Sequence, residues 1–484
     1  MSPPRPIAQT STARRGLHRA FRMTGILALC LAGSAKAEKA GELTASAPFA
    51  VAPKCARDGR RLQHFASCAY GKQVYLVAWC DGSRQVGRPT ADIYCARIDG
   101  QTGRTLDPAG IRICAAAGLQ EWSAVAFDGT NFLVVWQDLR NGKDYDVYAA
   151  RVTQRGKVLD RDGFPVARRG GNQARPAVAF AAGQYLVVWM DARRYPVYGL
   201  YGARVTPDGN VLDPNGRALG AEDAATVAKA GPPGRSWLGD RHYWWERLSS
   251  RFRPSVAGNG RTCLVTFLRD VHANRTTGHA LLVDPRKCAP IAPPVQLSGE
   301  PRARLAACAT PDGWATAFDH WLSGWTPAPR LACLRLDGSA RPRDQIPKRV
   351  DVRAPDQPPM LLDVHKLLAS GGGGYHQGKG HFAFWQGAAA WNGGHVVLAM
   401  DYGWRTPRKP NELNYAVLTA LFDVKAGRFP DASPRVLASG DSASGVSVCR
   451  PSLAAGPDGR TLVVYEIDRG VDRRTVEACV LRVK

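Results

Sequence analysis

The sequence lacks the features that identify helical, metal-binding and membrane-spanning proteins. Its repeating segments show no 3.6-residue period of apolar residues, so they are not predicted to form amphipathic helices. Its cysteines and histidines follow no CxxC or Cys/His spacing, so we expect no metal and no cofactor. The apolar run near the N-terminus is too short to span a membrane, since a spanning helix needs roughly 18 apolar residues, and no other segment is a candidate.

Motifs for phosphate, calcium and nucleic acid are missing as well. The glycine-rich stretch GGGGYHQGKGH (371–381) lacks the terminal GK[ST] of a P-loop. The acidic stretch DLRNGKDYD, which starts at Asp138, does not follow the EF-hand pattern. There is no long basic run and no basic–aromatic motif, so no nucleic-acid partner is expected.

What the chain does contain is an imperfect repeat. Three copies are ASCAYGKQVYLVAWCD (66–81), SAVAFDGTNFLVVWQD (123–138) and PAVAFAAGQYLVVWMD (176–191). Each copy continues into a second apolar run, DIYCARI, DVYAARV or GLYGARV, and then into a glycine turn with a short tail. A self-similar unit of roughly 50 to 60 residues indicates a modular β array.

Each unit is predicted to form four short antiparallel strands. The second, typified by YLVVW, is an unbroken apolar run that suits a strand covered on both faces. Sheets with two apolar faces become stable in water when copies are arranged radially around an axis, because each sheet then buries both faces against its neighbours. The aromatic residue that recurs at the end of the second strand, Trp79, Trp136 or Trp189, is then predicted to pack between blades.

Degenerate copies begin at Pro254, Leu305, Ala388 and Pro451. The fold class is therefore all-β, a single β-propeller of about seven four-stranded blades, with six or eight as alternatives. The last copy ends after its third strand, and a spare strand-like piece, PFAVAP, starts at Pro48. We expect this N-terminal strand to complete the last blade and close the ring.

The motifs LVVWQDLR, DVYAARV and GKVLD resemble the β-propeller repeats of exported bacterial proteins, some of them TolB-like. The resemblance is clear over about residues 76–219 and looser elsewhere. It implies a propeller that acts as a binding platform, and it transfers no site residues. The WD dipeptide of the WD40 class and the Asp-box of sialidases are missing.

The N-terminal segment has the order of a secretory signal peptide. Arg14, Arg15, Arg19 and Arg22 precede the apolar run 26–32, and Ala35-Lys36-Ala37 offers a cleavage site. We predict a signal peptide over 1–37 and a propeller over 38–484, with inserts near 220–252 and 348–387. The mature protein is expected to be periplasmic or extracellular, and a monomer.

Export would favour disulfide formation among the cysteines. Cys263 is predicted to open the second strand of the fourth unit, and Cys288 to follow its third strand. Both belong near one end of the same blade, so they are the pair for which a disulfide is predicted.

The chain is strongly basic. It carries 65 Lys and Arg against 41 Asp and Glu, and residues 1–37 hold six of the basic residues and no acidic one. The mature chain therefore has a formal charge of +18, which favours anionic partners such as acidic polysaccharides. Basic residues spread evenly over the surface are the alternative reading.

Loops between the second and third strands, and the two inserts, are predicted to emerge on one face. Aromatic plates with arginine forks on that face suit a glycan or another anionic ligand. The candidate ligand-binding residues are Trp237, Tyr243, Trp244, Trp245, Trp321, Trp325, Trp404, Arg193, Arg241 and Arg405, with Tyr375 and Arg408 nearby. The alternative is that the inserts fold back and bury these aromatic side chains.

An aspartate recurs at the end of the second strand, as Asp81, Asp138, Asp191 and Asp401. These residues could form a carboxylate ring, but recurrence in successive units favours turn caps paired with arginines such as Arg140 and Arg193.

Three functions remain open at this stage. The favoured one is an exported non-enzymatic binding module for an anionic or glycan-like ligand. The second is a propeller glycosidase or lyase acting on an acidic polysaccharide, for which Tyr465 and Glu466 have suitable chemistry but should point to opposite faces of their strand. The third is an assembly platform for a cell-envelope protein. Fold alone does not separate them.

Overall fold

The structure is a computed structural model. It describes residues 43–55, 61–83, 90–194, 197–220, 254–272, 275–299, 305–320, 330–344, 348–351, 387–406, 409–430, 435–441, 443–470 and 473–483. The chain divides into a unit of residues 1–39, which lies outside these ranges, and a unit of residues 40–484. The described part of the second unit contains 30 strands and no helix, and so no helix in it could span a membrane.

The strands follow one another along the chain in short antiparallel groups. The first are β1 (Leu43–Ala45), β2 (Phe49–Ala50), β3 (Arg61–Tyr70), β4 (Val74–Ser83), β5 (Thr90–Asp99) and β6 (Ile111–Cys114). Then come β7 (Gln120–Phe127), β8 (Asn131–Asp138), β9 (Asp146–Thr153), β10 (Phe164–Ala167), β11 (Gln173–Ala181), β12 (Gln184–Arg194), β13 (Val197–Val205) and β14 (Arg217–Gly220).

The second half of the chain repeats this arrangement. Its strands are β15 (Ser255–Gly258), β16 (Cys263–His272), β17 (Arg275–Asp284), β18 (Ala289–Pro290), β19 (Val295–Gly299), β20 (Ala306–Thr310), β21 (Gly313–His320), β22 (Arg330–Leu336) and β23 (Lys348–Asp351). They are followed by β24 (Gly387–Trp391), β25 (Val396–Thr406), β26 (Lys409–Phe422), β27 (Arg435–Asp441), β28 (Ser447–Ala455), β29 (Arg460–Asp468) and β30 (Arg473–Val483).

Five sheets of four or five strands stand alone: β7–β10, β11–β14, β15–β19, β20–β23 and β24–β27. The other nine described strands form one continuous sheet, in which β3–β6 and β28–β30 are joined by a parallel pairing of β3 with β30. The protein is therefore an all-β propeller, as predicted. The count of about seven blades is not established, because the structure separates five sheets and merges the remaining strands.

The N-terminal strands close the ring. β1 pairs antiparallel with β30 through Leu43 and Val483, and β2 pairs with the same strand through Phe49 and Ala478. The predicted pairing of the PFAVAP segment with the last strands of the chain is confirmed. A free strand edge is thereby covered, which removes a site for edge-to-edge association.

Buried apolar layers join each group of strands to the next. Trp136 packs among residues of β3–β6, Trp189 among those of β7–β10, and Trp79 among those of β28–β30. All three indoles are fully buried. The prediction that these residues pack between sheets is confirmed, and the reason is that the apolar second strand is covered on both faces.

Two glycines leave room for the side chains of Trp136 and Trp189. Gly163 and Gly216 have φ values of 75° and 75°, in the left-handed region that favours glycine. A Cβ on either glycine would lie 2.3 Å from the ring of Trp136 or Trp189. The turns that follow the third strands therefore need glycine both for their backbone conformation and for space.

The predicted disulfide is wrong. All eleven cysteines of the described residues are free thiols, and Cys263 and Cys288 are among them. The predicted placement is right: β16 begins at Cys263, and Cys288 follows β17 in a tight turn. Both thiols are packed into the apolar layer between β11–β14 and β15–β19. Burial raises the pKa of each to about 12, so neither is present as the reactive thiolate.

Candidate functional site

Most of the residues predicted to bind a ligand lie outside the described residues. This holds for Trp237, Arg241, Tyr243, Trp244, Trp245, Trp321 and Trp325, and also for Tyr375 and Arg408. Trp404 and Arg405 lie on β25, where their backbones pair with Asn414 and Leu413, but their side chains are outside the described part. Arg193 is the one predicted residue whose side chain can be placed.

Arg193 belongs to a corner that recurs in two successive sheets. Its guanidinium donates to both oxygens of Asp191, at 2.8 and 2.6 Å, and to the carbonyl of Asn215. The indole of Trp189 donates to the same carboxylate at 2.9 Å, and the guanidinium lies 4.1 Å from the ring centre of Tyr201. We call this Trp-x-Asp-x-Arg arrangement the corner.

The corner of the preceding sheet is built in the same way. Arg140 donates to both oxygens of Asp138, Trp136 donates to that carboxylate at 2.8 Å, and Arg140 reaches the carbonyl of Asp162. The backbone N–H of Arg140 also bonds to Asp138. The interpretation of these aspartates as turn caps paired with arginine is confirmed for Asp138 and Asp191.

Asp401 does not share that role. In the registers of β25 and β8 it occupies the position of Gln137, one residue before that of Asp138, and so it points to the other face of its strand. Its Oδ2 accepts the backbone N–H of Arg450 from the next group of strands, at 2.8 Å. Asp401 therefore faces the first strand of the next group, and its place in the predicted series was wrong by one residue.

A second recurring arrangement ties neighbouring sheets together. An arginine on the third strand forms a bidentate ion pair with an aspartate of the following turn, and its guanidinium also donates to a carbonyl of the next sheet. We call these pairs clamps; they are Arg97–Asp107, Arg151–Asp160, Arg204–Asp213 and Arg335–Asp344. The carbonyls belong to Gln154, Pro207, Arg286 and Val424. The sequence indicates only a glycine turn at these places, but each turn also helps to hold two neighbouring sheets together.

The centre of the ring is a narrow channel. It is lined by the first strands β3, β7, β11, β15, β20, β24 and β28, mainly through small residues such as Ala66, Ser67 and Ser452, and its volume is about 180 Å³. Serines link neighbouring strands beside the channel: Ser123 Oγ lies 3.2 Å from Ser67 Oγ and donates to the Phe65 carbonyl. Small side chains let the strands approach closely, and the channel is too small for a drug-sized ligand.

At one end of the channel, four first strands carry a β-bulge. The register shifts after His64 in β3, Glu121 in β7, Ala174 in β11 and Cys449 in β28. The residues that follow these positions are Phe65, Trp122, Arg175 and Arg450, with φ values of 54°, 58°, 57° and 54°. Bulges re-aim side chains and are common next to functional sites. Bulky residues in this conformation are strained, which makes such outliers worth a functional hypothesis.

These four side chains form one stack, which we call the channel mouth. The rings of Phe65 and Trp122 are stacked with centres 3.9 Å apart. Arg175 covers the outer face of Trp122 at 3.3 Å, and Arg450 lies 4.6 Å from the ring centre of Phe65. Two guanidinium groups thus enclose two aromatic rings, an arrangement that cation–π attraction stabilises.

Buried acceptors hold the bulges in place. Phe65 N–H donates to Glu466 Oε1 at 2.6 Å, and Arg175 N–H donates to Gln137 Oε1 at 3.1 Å. Together with the bond from Arg450 to Asp401, these contacts come in each case from the second strand of the preceding group. The acceptors are 0 to 2% exposed. The mouth is therefore built by contacts between sheets that no single repeat contains.

The charges at the mouth are coupled. Arg450 Nη1 donates to Glu466 Oε2 at 2.7 Å. Burial by itself would lower the pKa of Arg450, but the charge and hydrogen bond of Glu466, together with the neighbouring Cys449 and Asp401, raise that pKa overall. Burial and the neighbouring Glu466 raise the pKa of the Cys449 thiol to about 12. Glu121 accepts from Tyr145 Oη at 3.1 Å. Glu466 therefore holds Arg450 and the backbone of Phe65, and Glu121 holds the hydroxyl of Tyr145.

The mouth lies on the predicted loop face. Gln63 near the start of β3 pairs with Asp81 near the end of β4, and Gln120 pairs with Asp138 in the same way. Loops between second and third strands and the links between groups leave from this end. Among the residues that the structure describes, no group of three or more His, Cys, Asp or Glu side chains is arranged to hold a metal ion.

Sequence reasoning missed the mouth because the first strands were predicted to start too late. They were placed from Ser123, Pro176 and Pro451 onward, whereas β7, β11 and β28 begin at Gln120, Gln173 and Ser447. A signal was present: proline inside a strand marks a bulge, and Arg175-Pro176 and Arg450-Pro451 share it.

No protein-family model matches the sequence, and no curated protein sequence matches it. Similar solved structures include a protein of unknown function from Dyadobacter fermentans, with 14% identity, a TM-score of 0.46 and coverage of 91% of this chain and 99% of that one. A subtype N10 neuraminidase-like protein of a little yellow-shouldered bat isolate has 11% identity, a TM-score of 0.39 and coverage of 90% and 97%. A mutant Trypanosoma rangeli sialidase displaying trans-sialidase activity has 10% identity, a TM-score of 0.43 and coverage of 90% and 58%. Similarity at this level carries no argument about the ligand or the chemistry of this chain.

Proposed function

We propose that this protein is an exported, non-catalytic binding module that captures an anionic glycan on the channel-mouth face of its propeller. The observation that carries the proposal is the stack of Arg450, Phe65, Trp122 and Arg175. Strained bulges from four successive groups of strands aim these side chains at one point. Aromatic faces with guanidinium groups suit an acidic sugar.

We further propose that the ring has seven blades. The pairing of β3 with β30 covers only two residue pairs, Arg61 with Arg473 and Leu62 with Arg474. On either side of it, β3–β6 and β28–β30 are antiparallel in the manner of the separate sheets. Counting these two groups as blades adds two to the five separate sheets. The first strands that line the channel support the same count.

Export is proposed from residues 1–37, whose basic, apolar and small residues follow the order of a signal peptide. This fits the exported propeller-repeat proteins that the repeats resemble. The N-terminus of protein purified from the cell envelope tests it. Cleavage after Ala37 would leave Glu38 as the first residue, whereas an intact Met1 would contradict export by this route.

A non-catalytic role is supported by how the acidic groups at the mouth are used. Glu466 holds Arg450 and the N–H of Phe65, and Asp401 holds the N–H of Arg450. Tyr465 points away from Glu466 and packs in the apolar layer toward β24–β27. A glycosidase needs a carboxylate poised to exchange a proton with its substrate, and these groups are engaged in holding the scaffold.

The formal charge of +18 on the mature chain adds long-range attraction for an anionic polymer. Attraction of this kind is screened by salt, because the Debye length falls from about 10 Å at 0.1 M to about 3 Å at 1 M. A ligand that is also gripped at the mouth should keep part of its affinity at high salt.

The test is a glycan array probed with the purified mature protein at 0.1 and 1 M salt, followed by incubation with the best ligand. We expect binding to acidic glycans, weaker at high salt, with no new reducing ends. New reducing ends without unsaturated ends would show a glycosidase, and new reducing ends together with unsaturated ends would show a lyase. If no glycan bound and a stoichiometric envelope protein co-purified instead, the assembly role would replace the proposal.

A further inference from the structure

Arg450 at the channel mouth uses fewer of its hydrogen-bond donors than the arginines of the corners and clamps do. In the corners and clamps, guanidinium groups such as those of Arg193 and Arg151 use Nε and Nη2 on a carboxylate and also donate to a carbonyl. Arg450 uses only Nη1, on Glu466. Within the described residues its Nε and second terminal nitrogen make no hydrogen bond, and its side chain is 25% exposed.

Arg450 is also held rigidly. Its backbone N–H is bound by Asp401, its Nη1 by Glu466, and its plane lies over the ring of Phe65. The other face of Phe65 is fixed by Trp122, which is itself covered by Arg175. A side chain that is ordered before binding loses little conformational entropy when a ligand arrives. Its free edge is therefore a prepared donor fork.

The channel below limits what can be bound there. Its walls are mostly alanines, serines and valines, and its volume of about 180 Å³ is well below that of typical pockets for drug-sized ligands. The body of an oligosaccharide has to stay above the mouth, so only a projecting group reaches Arg450. The planar fork of an arginine matches the paired oxygens of a carboxylate or a sulfate.

We propose that Arg450 is the residue that binds the oxyanion of the ligand at the channel mouth, and that this oxyanion is a carboxylate or sulfate carried by a sugar. This inference rests on the proposed function and adds to it the contact residue and the ligand group. Glu466 has a defined role in it: it orients Arg450 and neutralises part of its charge, so it limits the affinity for an anion.

Isothermal titration with three ligands tests the proposal: an oligogalacturonate for carboxylate, a heparin-derived oligosaccharide for sulfate, and a neutral galacto-oligosaccharide. The variants are Arg450→Gln, Glu466→Gln and the control Arg155→Gln. Arg155 is exposed in the turn between β9 and β10, at the opposite end of its sheet, and its substitution removes the same charge.

We expect Arg450→Gln to weaken binding of one acidic ligand by about tenfold or more, since a hydrogen bond to a charged group has that worth. Glu466→Gln keeps an acceptor for the Phe65 N–H and removes the competing charge, so it should tighten binding by about threefold. Arg155→Gln should stay within about twofold of the original protein. The neutral ligand should respond to none of the three.

Two outcomes overturn the inference while leaving the proposed function standing. One is unchanged affinity in a folded Arg450→Gln variant. The other, which decides the matter if that variant does not fold, is weaker or unchanged affinity in Glu466→Gln. If the original protein bound neither acidic ligand, the proposed function itself would fail, and that result is distinct from both.

Discussion

Arginine–carboxylate pairs occur in two regions of this molecule and are used differently in each. At the corners and clamps, the same pair recurs in successive sheets with nearly the same distances: Arg140–Asp138 at 2.7 Å and Arg193–Asp191 at 2.6 Å, or Arg151–Asp160 at 2.8 Å and Arg204–Asp213 at 2.7 Å. Contacts that recur in this way hold the repeat together.

At the channel mouth, the backbone repeats and the side chains do not. The four bulges have φ values within a few degrees of one another, yet they carry Phe65, Trp122, Arg175 and Arg450. Binding one ligand on the axis of a ring requires asymmetry, which equivalent positions supply only when their residues differ. Recurring contacts therefore belong to the scaffold, and variation at a fixed backbone position distinguishes the proposed site.

The largest loss of stability is expected at Gly163, in the turn that packs against the ring of Trp136. Gly163→Ala places a Cβ 2.3 Å from the ring of Trp136 at a φ of 75°. Overpacking and left-handed strain together should lower the free energy of unfolding by about 3 kcal/mol. Urea unfolding measures it. Gly183→Ala is the matched control, because its φ is 79° and a Cβ there meets nothing within 4 Å; it should cost about 1 kcal/mol. Equal losses in the two variants would contradict this account of the turn.

The clamps should come next. Arg151→Ala removes a partly buried bidentate pair together with the link to the Pro207 carbonyl, and should cost about 2 kcal/mol, less than a fully buried pair because both side chains are 19% exposed. Arg204→Ala should cost a similar amount, since the clamp recurs. Arg469→Ala, in a pair whose arginine is 43% exposed, should cost less than about 1 kcal/mol. Thermal unfolding of the three variants checks the order, and a loss for Arg469→Ala as large as for the clamps would remove the distinction.

At a bulge of the channel mouth, a glycine variant should be more stable than an alanine variant, which reverses the order expected in an ordinary strand. Because Arg175 has a φ of 57°, Arg175→Gly should be more stable than Arg175→Ala by about 1 kcal/mol. Arg112 is exposed on β6 and has no left-handed conformation, so there the alanine variant should be the more stable. Melting temperatures of the four variants test the prediction. Alanine ahead of glycine at both positions would mean that the bulge is not strained.

The smallest effect concerns a carboxylate beside the corner. Burial, with help from Asp144, raises the pKa of Asp146 to about 6. The folded protein then binds this proton more tightly than the unfolded chain, so stability falls as the pH rises from about 4 through 6. Asp146→Asn should raise the melting temperature at pH 7 and leave it nearly unchanged at pH 4. An equal shift at both pH values would point to packing instead of charge.

Local patterns were enough to predict the repeat, because they depend on neighbours in the chain. The apolar run ending in Trp136 became β8, and the PFAVAP segment became β2 paired with β30. The burial of Trp79, Trp136 and Trp189 followed from strands with two apolar faces. The aspartate and arginine of each corner are also only two positions apart, so the sequence alone was enough to predict their pairing.

The mouth depended on contacts between residues far apart in the chain. Glu466 bonds to Phe65 across 401 positions, and no periodicity within one repeat reveals it. The series of aspartates was misaligned at Asp401 because a shift of one residue reverses the face. The predicted first strands share a signal in the residue before them: Arg175 and Arg450 precede proline, as Arg253 does in the sequence, and Arg304 precedes Leu305.

The most direct test of the central claim sets the mouth against the corner with one substitution in each. Arg450→Gln and Arg193→Gln remove the same group, and both melting temperature and affinity for the acidic glycan are measured. The account predicts that Arg193→Gln lowers the melting temperature and keeps the affinity, while Arg450→Gln loses the affinity. Retained affinity in Arg450→Gln, with binding lost instead in Arg193→Gln, would place the ligand at the corner and contradict the account.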